Sequence, residues 1–92
     1  MSTLSAREIA SHLHSRPDWK IEGGHLVRTF AFETFRGAIS FVDKVADLAE
    51  EAGHHPDIDI RYNKVRLALV SHDAGGLTGK DFVIAAGADQ LV

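Results

Sequence analysis

The longest regular pattern in the chain lies between Phe35 and Ala52, where Phe35, Ala38, Ile39, Val42, Val45, Ala46, Ala49 and Ala52 recur at separations of three and four. That spacing predicts a helix with one apolar stripe, leaving Asp43, Lys44, Asp47, Glu50 and Glu51 in water. Thr34 is placed to cap its start, and Gly53 to stop it in the left-handed conformation. Phe41 and Leu48 fall outside the stripe, and surplus apolar surface on a small domain predicts self-association.

On either side of this helix the period changes from about four to two. Trp19 to Glu22 reads as a short strand, Gly23-Gly24 as a tight turn, and His25 to Phe32 as a second strand. Leu26, Phe30 and Phe32 share one face, and Arg28 is the polar exception on it, a position that suggests a rim or an interface. Ile58 to Tyr62 and Val65 to Val70 also alternate, with Asn63-Lys64 as the candidate two-residue turn. In that register Tyr62 faces Val65, Ile60 faces Leu67 and Arg61 faces Arg66, while extending the ladder sets His55 opposite His72. Ile58, Ile60, Tyr62, Val65, Leu67 and Leu69 form the face expected to pack on helices. His55 and His72 share the parity of the other face and are expected outside the core.

Two shorter helices carry their start signals in the sequence. Ser5 with Glu8 three residues later is a capping-box pattern, and Leu4 with Ile9 fits the hydrophobic staple around it. The first helix is therefore expected from Ala6, with Pro17 ending it and His12 and His14 on its solvated surface. Thr78, Asp81, Leu77 and Phe82 repeat the same arrangement, predicting a last helix that ends near Asp89. The whole, residues 1–92, reads as a single α+β domain in the order α-β-β-α-β-β-α: a four-stranded antiparallel sheet with three helices packed on one face.

Composition narrows the function classes. With no cysteine, disulfides, thiolate metal sites and cysteine nucleophiles are excluded. A formal charge of -3 argues against a nucleic-acid surface, which needs a clustered basic face. Met1 to Glu8 has no apolar run, and no stretch approaches the roughly 18 apolar residues of a membrane span, so a cytoplasmic protein is expected.

Chemistry concentrates between Glu50 and Asp81, a segment that holds His54, His55 and His72, three of the six histidines. Histidine exchanges a proton near neutral pH, and the hairpin should gather these three at its open end. His54 follows directly on a helix C-terminus, whose partial negative charge, reinforced by Glu50 one turn back, favours an imidazolium. Glu50, His54-His55-Pro56, Tyr62, His72 and Asp81, at these separations, resemble the signature of the pterin-4a-carbinolamine dehydratase family. Animal members of that family also serve as dimerisation cofactors of a homeodomain transcription factor. The resemblance extends to Trp19, the Leu26 to Phe32 strand and Gly75-Gly76-Leu77-Thr78.

The resemblance implies removal of water from a 4a-hydroxytetrahydropterin to give a quinonoid dihydropterin, in tetrahydrobiopterin recycling. It further implies a pterin as partner, a homodimer or homotetramer, and neither cofactor nor metal. For such a reaction His55 and His72 would transfer protons, with His54 positioning the substrate or tuning its neighbours. Glu50, Trp19 and Asp81 are candidate substrate-binding residues. Each has a plainer reading beside it: a solvated helix carboxylate, a core anchor and a helix cap. Two other readings compete with the enzyme. Three imidazoles could hold zinc, although adjacent His54 and His55 should diverge in an extended chain. A non-enzymatic oligomeric binding or coactivator module is the other.

Overall fold

Reciprocal caps start two of the helices. The structure, a computed structural model, describes residues 2–92. Ser5 Oγ accepts from the Glu8 N–H at 3.1 Å while Glu8 accepts from the Ser5 N–H at 2.8 Å, opening α1 (Ala6–His14). Thr78 and Asp81 do the same for α3 (Gly79–Asp89). Between them lie α2 (Phe35–Ala52), capped by the Thr34 side chain, and four strands: β1 (Lys20–Glu22), β2 (His25–Ala31), β3 (Asp57–Arg61) and β4 (Lys64–Leu69).

The strands form one antiparallel sheet in the order β1-β2-β4-β3, so the two hairpins meet along β2 and β4. Leu26, Phe30, Val65, Leu67 and Leu69 supply the buried sheet side of the core; Ala38, Phe41 and Val45 from α2 and Phe82, Ile84, Ala85 and Ala88 from α3 supply the helical side. Among the described residues no helix is long and apolar enough to cross a membrane.

The second hairpin is shifted by two residues from the expected register. Ile60 faces Val65, Ile58 faces Leu67 and Asp59 faces Arg66, with Tyr62 and Asn63 as the connection. Tyr62, at φ 53°, takes the left-handed conformation at the turn. Asn63 is used differently: its Nδ2 donates to Phe32 O at 2.7 Å and its carbonyl accepts the Phe32 N–H at 2.9 Å, tying the connection to the end of β2. A shift of two preserves which face each residue occupies but removes the predicted Arg61–Arg66 opposition. Arg61 instead bonds Asp59 at 3.1 Å, and Arg66 lies across from Asp59 and 3.7 Å from Glu22.

The packing face also differs in extent. Val65, Leu67 and Leu69 are covered, but Ile58 and Ile60 remain 38% and 37% exposed because the helical layer stops short of the edge strand β3. On α2 the buried stripe is Ala38, Phe41, Val45 and Ala49, rotated from the expected one. Phe41 turns it, with its ring 4.6 Å from that of Phe30 and 5.0 Å from that of Phe32. Leu48 follows onto the core, where Gly87 of α3 makes room for it, and Phe35 is left half exposed.

Arg28 marks no free rim. Its guanidinium donates to Asp89 at 2.6 Å and lies 4.1 Å over the Phe30 ring, while Arg16 and the Trp19 indole N–H reach the same carboxylate. This clamp fastens the end of α3 to the start of the sheet.

Candidate active site

The α2 helix delivers the first two histidines. Gly53, at φ 64°, ends it, and the N–H groups of Gly53 and His54 turn back to the carbonyls of Glu50 and Ala49. His54 is therefore fixed to the helix end, with His55 and Pro56 leading into β3. The third comes from the opposite side. After β4 the chain makes one 3-10 turn, His72–Ala74, closed by paired backbone bonds between Ser71 and Gly76 and by Gly75 at φ 80°.

His54, His55 and His72 line one open hollow of about 460 Å³, within the range of small-molecule sites. Gly53, Val70, Ser71 and Lys80 are also in its walls. All three histidines belong to the lining of this one hollow, His72 coming from the 3-10 turn and not from a ladder position opposite His55.

Each of the first two imidazoles has a carboxylate partner. His54 Nε2 is 2.6 Å from Asp81 Oδ1, and His55 Nε2 is 2.5 Å from Glu50 Oε2. A carboxylate only accepts, so in both rings Nε2 carries the proton and Nδ1 is left for other chemistry. The settings differ sharply. Asp81 is fully buried and its other oxygen takes the Ser71 hydroxyl and the Thr78 N–H, both at 2.9 Å. Glu50 and His55 are exposed, with side chains at 77% and 61%, so their pair contributes at most about 1 kcal/mol. Glu50 serves His55, where the sequence had suggested an influence on His54.

Asp81 is both the helix cap and the anchor of a site histidine. Trp19 lies apart: it is 4% exposed, packs edge-on against Phe30, and spends its indole N–H on Asp89. It is absent from the lining of the hollow. Among the described residues no group of three or more histidine and acidic side chains is arranged to hold a metal ion.

Residues 2–91 match the family model described as pterin 4 alpha carbinolamine dehydratase. The chain belongs to that family. A Chloroflexus aurantiacus protein that bears the provisional name pterin-4-alpha-carbinolamine dehydratase is 61% identical, over all of this chain and 99% of its own. An Acidobacterium capsulatum protein with the same provisional name is 53% identical, over the full length of both chains. Among solved structures, a transcriptional coactivator/pterin dehydratase from Brucella melitensis superposes with a TM-score of 0.93 at 28% identity, over 98% of each chain. A pterin dehydratase-like protein identified as a RuBisCO assembly factor in the alpha-carboxysome gives a TM-score of 0.65 at 28% identity, over 79% of this chain and 84% of its own.

Against this family background, the pattern of the sequence had missed three residues at or beside the hollow. Ser71 is buried in its wall, and Lys80 reaches it from the first turn of α3. His25 lies beside His72, with its Nδ1 3.0 Å from Gly23 O and its ring 6.3 Å from that of His72. Only His25 left a signal, being on the sheet face of Val27 and Ala68, opposite the core.

Proposed function

We propose that the hollow binds a 4a-hydroxytetrahydropterin and expels its hydroxyl as water. The observation that carries this reading is the convergence of three imidazoles on one solvent-open cavity of small-molecule size, in a chain of the pterin carbinolamine dehydratase family.

A carbinolamine bears its hydroxyl on C4a beside N5. Loss of water needs a proton delivered to the departing oxygen, electron push from the N5 lone pair, and removal of the N5 proton. Two imidazoles in opposite protonation states meet this need, each contributing on the order of 10² to 10⁴ in rate. His55 and His72 are the proposed pair. His55, whose Nε2 proton rests on Glu50, delivers its Nδ1 proton as the acid, and His72, without a side-chain hydrogen bond among the described residues, is the base. His54, immobilised by Asp81, presents Nδ1 to orient the substrate. The C4a–O bond breaks as the N5 lone pair forms a C=N bond, with two proton transfers and no redox change, so the reaction asks for no cofactor. Its place in the cell is recycling of a tetrahydropterin after a hydroxylation, in the cytoplasm.

The chain is also proposed to act as a homo-oligomer. β3 is a free edge with Ile58 and Ile60 exposed, Tyr62 is exposed in the turn after it, and α2 leaves Phe35 uncovered, surfaces that a second copy would bury.

Turnover of freshly generated 4a-hydroxytetrahydropterin tests the enzyme reading. His55→Ala and His72→Ala should each slow dehydration at least about tenfold with the fold intact. Full activity in both would favour a non-enzymatic binding role, of the kind named for the coactivator and assembly-factor relatives.

A further inference from the structure

The polar chain behind His54 can be assigned a direction. Ser71 is buried, with its hydroxyl 2.9 Å from Asp81 Oδ2 and 2.8 Å from Thr78 Oγ1. Each hydroxyl has one proton to give. The carboxylate has none, so Ser71 donates to Oδ2. Thr78 must then donate to Ser71 Oγ, and its own oxygen accepts the Lys80 N–H at 3.3 Å. With the Thr78 N–H also on Oδ2, that oxygen holds two donors and Oδ1 faces His54 alone. Every buried side-chain polar atom among the described residues has a partner, and the acceptor-only carboxylate at one end sets the direction of the chain.

We infer that Ser71 is a positioning residue: by locking the Asp81 carboxylate from behind, it holds His54 in the Nε2–H tautomer and keeps the Nδ1 lone pair available to the hollow. Thr78 orders Ser71, and Ser71 orders Asp81. The catalytic consequence rests on the dehydratase reading, but the tautomer exists in the ligand-free protein and is read without turnover.

The experiment is ¹⁵N NMR of the histidine rings in the wild type, Ser71→Ala and Ser71→Thr, above the pH at which the imidazoles are neutral, alongside dehydration kinetics. The wild type should show His54 as the Nε2–H form alone. Ser71→Ala should mix the two tautomers and lower kcat roughly three- to tenfold, the worth of one hydrogen bond, while KM changes less. Ser71→Thr should restore both. A folded Ser71→Ala protein with unchanged His54 nitrogen shifts would overturn the inference. If that variant does not fold, Ser71→Cys, whose thiol is a much weaker donor of similar size, takes its place, and unchanged His54 nitrogen shifts there would overturn the inference. Tautomer changes in a protein without dehydratase activity would uphold the role of Ser71 and remove the substrate reading instead.

Discussion

His54 Nε2 and Asp81 Oδ1, 2.6 Å apart, join the end of α2 to the first turn of α3 across 27 positions of sequence. One carboxylate thereby caps a helix, receives a loop hydroxyl and holds an imidazole. Asp81→Asn replaces an acceptor-only group with an amide whose NH₂ must either confront one of those donors or drive His54 into the Nδ1–H tautomer. Stability should fall by about 1–3 kcal/mol, from a buried polar mismatch, as measured by urea unfolding. Dehydration should fall at least about tenfold, as His54 loses its orientation. Unchanged activity in a folded Asp81→Asn protein would reduce this residue to a helix cap.

Glu50 offers the opposite case, an exposed partner. Glu50→Ala should alter stability by no more than about 0.5 kcal/mol, because a solvated ion pair contributes little. Turnover should drop roughly tenfold through His55, chiefly in kcat. A change confined to KM would show instead that the carboxylate contacts the substrate.

Much of this was legible before any coordinates. Ser5, Glu8, Thr78 and Asp81 announced two helix starts because capping is local chemistry, written within four residues. Gly53 announced the helix end for the same reason. Sheet faces survived the two-residue register error because parity is all that a period of two encodes. What the pattern could not hold was long-range competition. The Phe41 ring is drawn inward by Phe30 and Phe32, and Asn63 is taken by Phe32 O, and neither preference is visible within its own segment. Trp19 and Asp81 show the same limit at the site. Each had two plausible roles, and the partners that distinguish them, Asp89 and His54, lie 70 and 27 positions away.

Gly87 packs against Leu48 so closely that an added Cβ would lie 2.8 Å from a Leu48 methyl carbon. Gly87→Ala sets two effects against each other: about 1 kcal/mol gained in helix propensity and roughly 1–3 kcal/mol lost to overpacking. The variant should be destabilised in the wild-type background. With Leu48→Ala already present the same change should stabilise, a reversal of sign that a double-mutant cycle of urea midpoints will show. Equal effects in both backgrounds would contradict the packing.

Glu8 gives α1 an acid-sensitive start. The Ser5 N–H, donating to its carboxylate, holds Glu8 below its ordinary value of 4.5, with the Ser5 hydroxyl acting in the same direction. A pKa lower in the folded state means that the stabilisation is present above the unfolded value and is lost as pH falls through the folded one. Amide exchange at Ser5, Glu8 and Ile9, whose N–H groups the cap engages, should therefore become less protected, relative to the core, on acidification below about pH 4.5. Glu8→Gln, which keeps an acceptor but does not titrate, should remove that pH dependence. Persistence of the dependence in Glu8→Gln would assign it elsewhere.

In the proposed complex His54, His55 and His72 surround one pterin. Six histidines in the chain allow it to be tested in one experiment, by following all the imidazole resonances during titration with a non-reactive dihydropterin analogue. His54, His55 and His72 should shift along one saturation curve, while His12 and His14 on α1 stay still. Saturable binding that moves the α1 histidines and leaves those three unchanged would contradict it.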